Sequence, residues 1–173
     1  MRLYFMRHAH ALDPDEWSGE EAARPLTDKG RKCAEAAATG LARLRPGVGA
    51  IISSPYSRAY ETAVIVGRVI GLPVESSDML IPGFDLARLD RALALRPDAE
   101  SALFVAHEPD LSQLVETLMR REGDDGVVMK KASCALVVTP AAMSGGESVA
   151  ELAGKCELAW LRGWRELAAM REQ

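Results

Sequence analysis

ALFVAHEPDLSQLVETL, residues 102–118, opens with five consecutive apolar residues, turns polar at His107 and then reaches Pro109. A short apolar run with no polar alternation is the pattern of a central parallel strand buried on both faces. Proline suits the first turn of a helix, and Leu111, Leu114, Val115 and Leu118 then recur at three-and-four spacing on one face. The segment therefore predicts a strand over Ala102–Ala106, a tight turn at His107 and a helix behind it. That is the repeating unit of an α/β domain, whose ligands collect beyond the carboxyl ends of the strands.

The same alternation extends in both directions. Leu3–Met6 reads as the first strand, and Ala11–Pro25, with its acids, prolines and Gly19, as a surface loop with a short turn of helix. Thr27 can cap a helix with Cys33, Ala36, Ala37, Leu41 and Leu44 on one side, ending near Pro46 and Gly47. Ala50–Ser53 is the second strand; Ser54 then suits an N-cap and Pro55 the first position of a helix carrying Ala59, Ala63, Val66 and Ile70, stopped by Gly71. Leu72–Glu75 reads as a third strand, Asp85–Arg96 as a helix, Cys134–Thr139 as a fifth strand, and Cys156–Leu161 with Trp164–Met170 as a last strand and helix beyond a Gly145-Gly146 turn. The expected fold is α/β, a three-layer αβα sandwich with a mostly parallel central sheet. With no linker and no internal repeat, residues 1–173 are expected to form a single domain.

Composition narrows the function classes. A chain of 173 residues with 48% hydrophobic and 27% charged side chains is globular and buries about 70% of its unfolded surface. Its 25 acidic and 21 basic residues give a net charge of −4, so no global field gathers nucleic acid or an anionic membrane, and any phosphate affinity must be local. The opening MRLYFMRHAH becomes charged too soon for a signal peptide or a membrane span, which predicts a cytoplasmic protein. Cys33, Cys134 and Cys156 are odd in number and far apart, as expected of small buried apolar residues rather than a disulfide framework. The acids of Asp13–Glu21 and Glu122–Asp125 read as solvated loops, and Trp160 and Trp164 as packing residues.

The chemistry-bearing residues fall at strand ends. Arg7 and His8 end the first strand, His107 ends the fourth, and Arg58 sits early in the helix after the second. A phosphoryl group in transfer spreads charge over three oxygens, and arginine forks match that geometry better than lysine. A neutral imidazole can attack phosphorus and divide one displacement into two. His8 is thus the expected nucleophile, with Arg7 and Arg58 as the clamp. His10 and Arg24 are further candidates for substrate contact.

Taken together, the RHA of residues 7–9, the SSPYSRAYETA of residues 53–63 and the VAHEPDLS of residues 105–112 resemble the motifs of the histidine phosphatase (phosphoglycerate mutase-like) superfamily. The likeness is strongest to its small SixA-type phosphohistidine phosphatase branch, with which RPLTDKG (residues 24–30) and the Lys130-Lys131 pair also agree. The resemblance implies a phosphatase without metal or other cofactor, a phosphohistidine intermediate on His8, and Arg7, Arg58 and His107 holding the transferred group.

Two departures stand out. Ala9 replaces the glycine of the usual RHG, adding a methyl where the backbone turns close to phosphate. In the segment resembling Met79–Gly83, where larger relatives carry a glutamate acid, Pro82 stands. An alkoxide leaving group needs a proton and an imidazole already protonated on its other nitrogen does not, so the missing acid favours a phosphohistidine-bearing protein as substrate, with Asp85 as a possible substitute acid. The alternatives are a small-molecule phosphomonoesterase and a non-catalytic phosphate-binding module. A metal hydrolase would instead use His8, His10 and His107 with Asp13 or Asp110, and two arginines beside a dication argue against it.

Overall fold

The computed structural model describes residues 1–44, 46–119, 126–140 and 148–170. The elements run in the order β1 (Arg2–Arg7), α1 (Asp28–Arg43), β2 (Ala50–Ser53), α2 (Ser57–Ile70), β3 (Val74–Ser76), α3 (Leu86–Leu93), β4 (Ser101–Ala106), α4 (Asp110–Met119), β5 (Cys134–Val138), β6 (Glu157–Arg162) and α5 (Trp164–Ala168). Short 3-10 turns lie at Pro14–Glu16, Glu21–Ala23, Asp78–Leu80 and Val149–Leu152. The six strands form one sheet in the order β3-β2-β4-β1-β5-β6. β1, β2, β3 and β4 pair in parallel, and β5 runs antiparallel to both β1 and β6.

Strand alternation assigns the two faces. Leu3, Phe5, Ile52 and Phe104 pack against Leu89 of α3 and Leu111, Leu114, Val115 and Leu118 of α4. Tyr4, Met6, Ile51 and Leu103 point the other way, against Ala37 and Leu41 of α1, Ala59, Ala63 and Val66 of α2, and Leu167 of α5. The expected three layers are therefore present, with the apolar stripes of the helices buried as their spacing requires. The Phe5 and Phe104 rings stack 5.7 Å apart across the β1–β4 pair. Cys33, Cys134 and Cys156 are all buried and unpaired, and Tyr4 and Trp160 pack ring to ring at 6.1 Å. No helix of the described residues is long and apolar enough to cross a membrane.

Element ends shift by a residue or two from the sequence expectation, β5, β6 and α5 among them, and at three boundaries the local reason is visible. α2 starts at Ser57 rather than Pro55, because the Ser54 hydroxyl accepts from Tyr56 N–H at 3.3 Å and makes a turn ahead of the helix. β3 starts at Val74 rather than Leu72: Gly71 adopts φ 83° and both Gly71 and Leu72 donate to the Gly67 carbonyl, so the helix end consumes those residues. α3 ends at Leu93, after which Leu95 and Arg96 close tighter turns onto Ala92 and Leu93 before Pro97. The expected Gly145-Gly146 turn and the acids Glu122–Asp125 lie outside the described residues.

Candidate active site

The carboxyl ends of β1, β2 and β4 meet at one edge of the sheet. His8 extends β1 by donating its N–H to the Ala106 carbonyl at 3.1 Å, which sets it beside His107. The two rings lie 5.3 Å apart, and both residues are buried. Arg58, in the first turn of α2, reaches back so that its Nε donates to His8 Nε2 at 3.3 Å.

These contacts assign the His8 tautomer. Nδ1 lies 2.7 Å from the Ala9 carbonyl, which can only accept, so Nδ1 carries the proton and Nε2 holds the lone pair. Burial first, and then the neighbouring His107, Arg58 and Arg7, push the His8 pKa down to about 2, against the opposing pull of the Ala9 carbonyl. His107 falls to about 3 for the same leading reason, with Arg58 the largest of the charges acting on it. Both imidazoles are therefore neutral through the physiological range, and His8 presents a nucleophilic nitrogen to the Arg58 side of the cleft.

The cations are held from behind. Arg58 Nη1 donates to the Glu21 carbonyl at 3.0 Å and lies 3.1 Å from the Glu21 carboxylate, while its guanidinium sits 5.1 Å over the Tyr56 ring. Arg7 Nη1 donates to the Met129 carbonyl at 3.0 Å. Met129 N–H donates to Ser112 Oγ at 3.1 Å, and that hydroxyl donates to Glu108 at 2.6 Å, closing a polar chain behind Arg7 whose last member is the residue after His107. Burial lowers both guanidiniums from their ordinary value, countered by Glu108 at Arg7 and by Glu21 at Arg58.

Some buried polar atoms have no protein partner among the described residues, among them Arg7 Nε, His107 Nδ1 and, in the chain behind Arg7, Glu108 Oε1. Ser54 Oγ sits 2.8 Å from His107 Nε2 and accepts from Tyr56 N–H; when the hydroxyl donates its proton to the ring, Nδ1–H of His107 is left as a donor. The arrangement thus sets His8 Nε2, whose lone pair accepts from Arg58 Nε, among N–H donors of the kind a tetrahedral anion requires.

The remaining expected residues are placed differently. Arg24 grips the Glu21 carboxylate and the Leu12 carbonyl, so it reaches the cluster through Glu21. His10 is half-buried, its carbonyl taken by Thr27, and its ring is held below its ordinary pKa by desolvation and then by Lys131, Lys29, Arg7 and Arg165. Asp85 accepts from Arg88 N–H at 2.9 Å as the cap of α3. Asp110 accepts from Gly83 N–H at 2.7 Å, fixing the Pro82 segment against α4. Ala9 is fully buried; its N–H donates to Thr62 Oγ1 at 3.1 Å, and its methyl packs with Leu26, Cys33 and Ile65. The left-handed non-glycine residue of the described chain is Ala132, so the alanine at the glycine position of RHG needs no unusual backbone.

Sequence reasoning missed Glu21, Ser54, Thr62, Glu108, Ser112 and Met129. The sequence reads Glu21 as part of a solvated loop; the structure instead puts it on Arg58, with the turn at Glu21–Ala23 lying against α2. Nothing in local spacing marks that pairing. A cavity of about 690 Å³ beside Arg2, Asp90, Arg96 and Glu100 lies at the opposite edge of the sheet and takes no part in the site.

The model of the histidine phosphatase superfamily, branch 1, matches residues 3–81, and a protein of Picosynechococcus sp. is 35% identical over 137 residues, 76% of this chain and 81% of that one. The chain belongs to the histidine phosphatase superfamily. Among solved structures, this family member is similar to the protein histidine phosphatase SixA complexed with tungstate, with a TM-score of 0.78, 24% identity and coverage of 96% of this chain and 99% of that one. It is also similar to a SixA protein from Nakamurella multipartitia, with a TM-score of 0.71, 26% identity and coverage of 93% and 94%. The first likeness shows the fold.

Proposed function

We propose that this histidine phosphatase hydrolyses a phosphoryl group carried on a histidine of another protein, through a covalent intermediate on His8. The observation that carries the reading is the His8 ring itself: buried, neutral, protonated at Nδ1 onto the Ala9 carbonyl, with Nε2 facing Arg58.

In the first step the Nε2–P bond forms as the P–N bond to the substrate ring breaks. The bonding pair returns to that ring, which, already protonated on its other nitrogen, departs as neutral imidazole. The phosphorylated His8 is then an imidazolium whose Nδ1–H the Ala9 carbonyl accepts. Water next attacks phosphorus, one of its protons passing to a phosphoryl oxygen, and the P–Nε2 pair returns to His8 as inorganic phosphate forms. Arg7 Nε, Arg58 and His107 Nδ1–H bind the equatorial oxygens in both steps. Two observations support the choice of leaving group: Pro82 stands in the segment where larger relatives place an acid, and Asp85 is engaged in capping α3. The SixA likeness agrees with it.

The test compares specificity constants for a phosphohistidine protein, alkyl phosphates and aryl phosphates. The reading expects phosphohistidine and aryl phosphates to turn over well, and all activity to vanish in His8→Ala. An alkyl phosphate turned over faster than phosphohistidine would make the chain a small-molecule phosphomonoesterase. Binding of phosphate without turnover of any substrate would make it a binding module.

A further inference from the structure

We infer that the rim of the site on the Lys131 side is a docking surface for an acidic protein segment, namely acidic side chains flanking the phosphohistidine; the inference rests on the protein-substrate reading above. The chain as a whole carries a net charge of −4, yet cations gather on this edge. The turn Lys130–Ser133 is pinned to the nucleophile strand from both sides: Ala132 N–H donates to the His8 carbonyl at 3.2 Å, and Arg7 N–H donates to the Ser133 carbonyl at 3.2 Å. Ala132 takes a left-handed φ of 57° to make that turn, a costly conformation for a residue with a Cβ and one found where the surroundings fix a functional segment.

Its consequence is that Lys131 is half-buried in a turn bonded to the backbone of Arg7 and His8. Desolvation and then Arg7, Arg24 and Lys29 hold its ammonium below the ordinary value, with Asp13 the one carboxylate acting against them. Lys29 stands at the start of α1, whose first turn is clamped to the His10 carbonyl through Thr27, and a Cβ on Gly30 would run into that same carbonyl. Beyond Lys29 the cationic strip continues along a cavity of about 410 Å³ lined by Lys29, Lys32, Trp164 and Arg165, where Arg165 lies 4.6 Å over the Trp164 ring. Among the described residues none of Lys29, Lys32, Lys131 or Arg165 is in a salt bridge, whereas Arg24, Arg31 and Arg58 all are. Lys131 is half-buried while Lys29, Lys32 and Arg165 are exposed, and like charges gathered without a salt-bridge partner favour the arrival of an anion. These cations stand on three elements, the turn before β5, α1 and α5, more side chains than one phosphate engages, and so fit an extended acidic segment.

The probes are two synthetic peptides bearing one phosphohistidine, one flanked by glutamates and the other by glutamines, with an aryl phosphate as the small substrate. At low salt the glutamate peptide is expected to show about tenfold higher kcat/KM. That preference should collapse at ~1 M salt, where the screening length is ~3 Å, and in Lys29→Ala/Lys131→Ala, while the aryl phosphate changes by less than about twofold. Lys131→Arg should restore it, which separates charge from damage to the turn. Equal rates for the two peptides would overturn the inference, and so would an equal loss on the aryl phosphate, which would place Lys131 in the phosphoryl clamp. A preference for a bisphosphorylated small ester over the glutamate peptide would also overturn it. Binding of the unphosphorylated glutamate peptide to His8→Ala, read by fluorescence anisotropy, tests the surface without turnover, so that failure of the docking surface and failure of the His8 chemistry remain distinguishable.

Discussion

Replacing Arg58 by lysine keeps the charge and removes the fork. In the structure one guanidinium makes three kinds of contact: Nε to His8 Nε2 at 3.3 Å, Nη1 to Glu21 at 3.0 and 3.1 Å, and the planar face over Tyr56. Arg58 is only 5% exposed, so water does not replace what is lost. A lysine ammonium can satisfy Glu21 or face the substrate oxygens, and cannot do both in the fixed geometry of the fork. One charge-assisted hydrogen bond is worth about 1.5–3 kcal/mol, and the loss of one in the transition state, ~2 kcal/mol, corresponds to a roughly 30-fold fall in kcat/KM. The assay is steady-state hydrolysis of an aryl phosphate by wild type and Arg58→Lys, with thermal unfolding alongside to confirm that the variant is folded. A folded variant within about twofold of wild type would show that Arg58 is not a phosphate fork.

The buried histidines predict a pH dependence of stability. Their folded pKa values, about 2 and about 3, lie below the ordinary 6.5, so the unfolded chain binds more protons; stability is fully present above that value and is lost as pH falls from there toward 3. Accordingly, the ring C–H resonances of His8 and His107 should not titrate between pH 5 and 8, and titration of either near 6.5 would refute the neutral cluster. Thr62→Val removes the acceptor for Ala9 N–H and the hydroxyl that donates to the Arg58 carbonyl at 2.7 Å; chemical denaturation should show a loss of about 1–3 kcal/mol, and an unchanged stability would show that the bond contributes nothing. For a series of phosphate esters, log kcat/KM should fall steeply as the leaving-group pKa rises. A flat series in which Asp85→Asn slows only the alkyl members would identify Asp85 as an acid.

The legible parts of this protein are those decided by local chemistry. β2 is fully buried and lies where its apolar run predicts. Thr27 caps α1 by accepting from Gly30 N–H, as its position ahead of the periodic stripe implies. Arg7, His8, Arg58 and His107 were visible because each sits at or just after a strand end, and the parallel pairing of β1, β2 and β4 brings those ends together. Ser54 misled because serine followed by proline is the usual helix entry, whereas here its hydroxyl serves His107 and Tyr56 N–H before the helix starts. Glu21 and the Glu108–Ser112–Met129 chain were invisible for a different reason. The first joins residues 37 apart in sequence and the second closes on Arg7 across 122 residues, and no periodicity records such contacts.

The claim on which the account turns is that phosphorus is bonded to His8 during turnover. Wild-type protein is mixed rapidly with a radiolabelled phosphoryl donor, quenched without acid because the P–N bond is acid-labile, and digested for peptide mapping. The account predicts label on the peptide containing His8, appearing within the first turnover and absent from His8→Ala, which should also be inactive. No protein-bound label under fast turnover together with undiminished hydrolysis by His8→Ala, or label mapping to His107 instead, would contradict it.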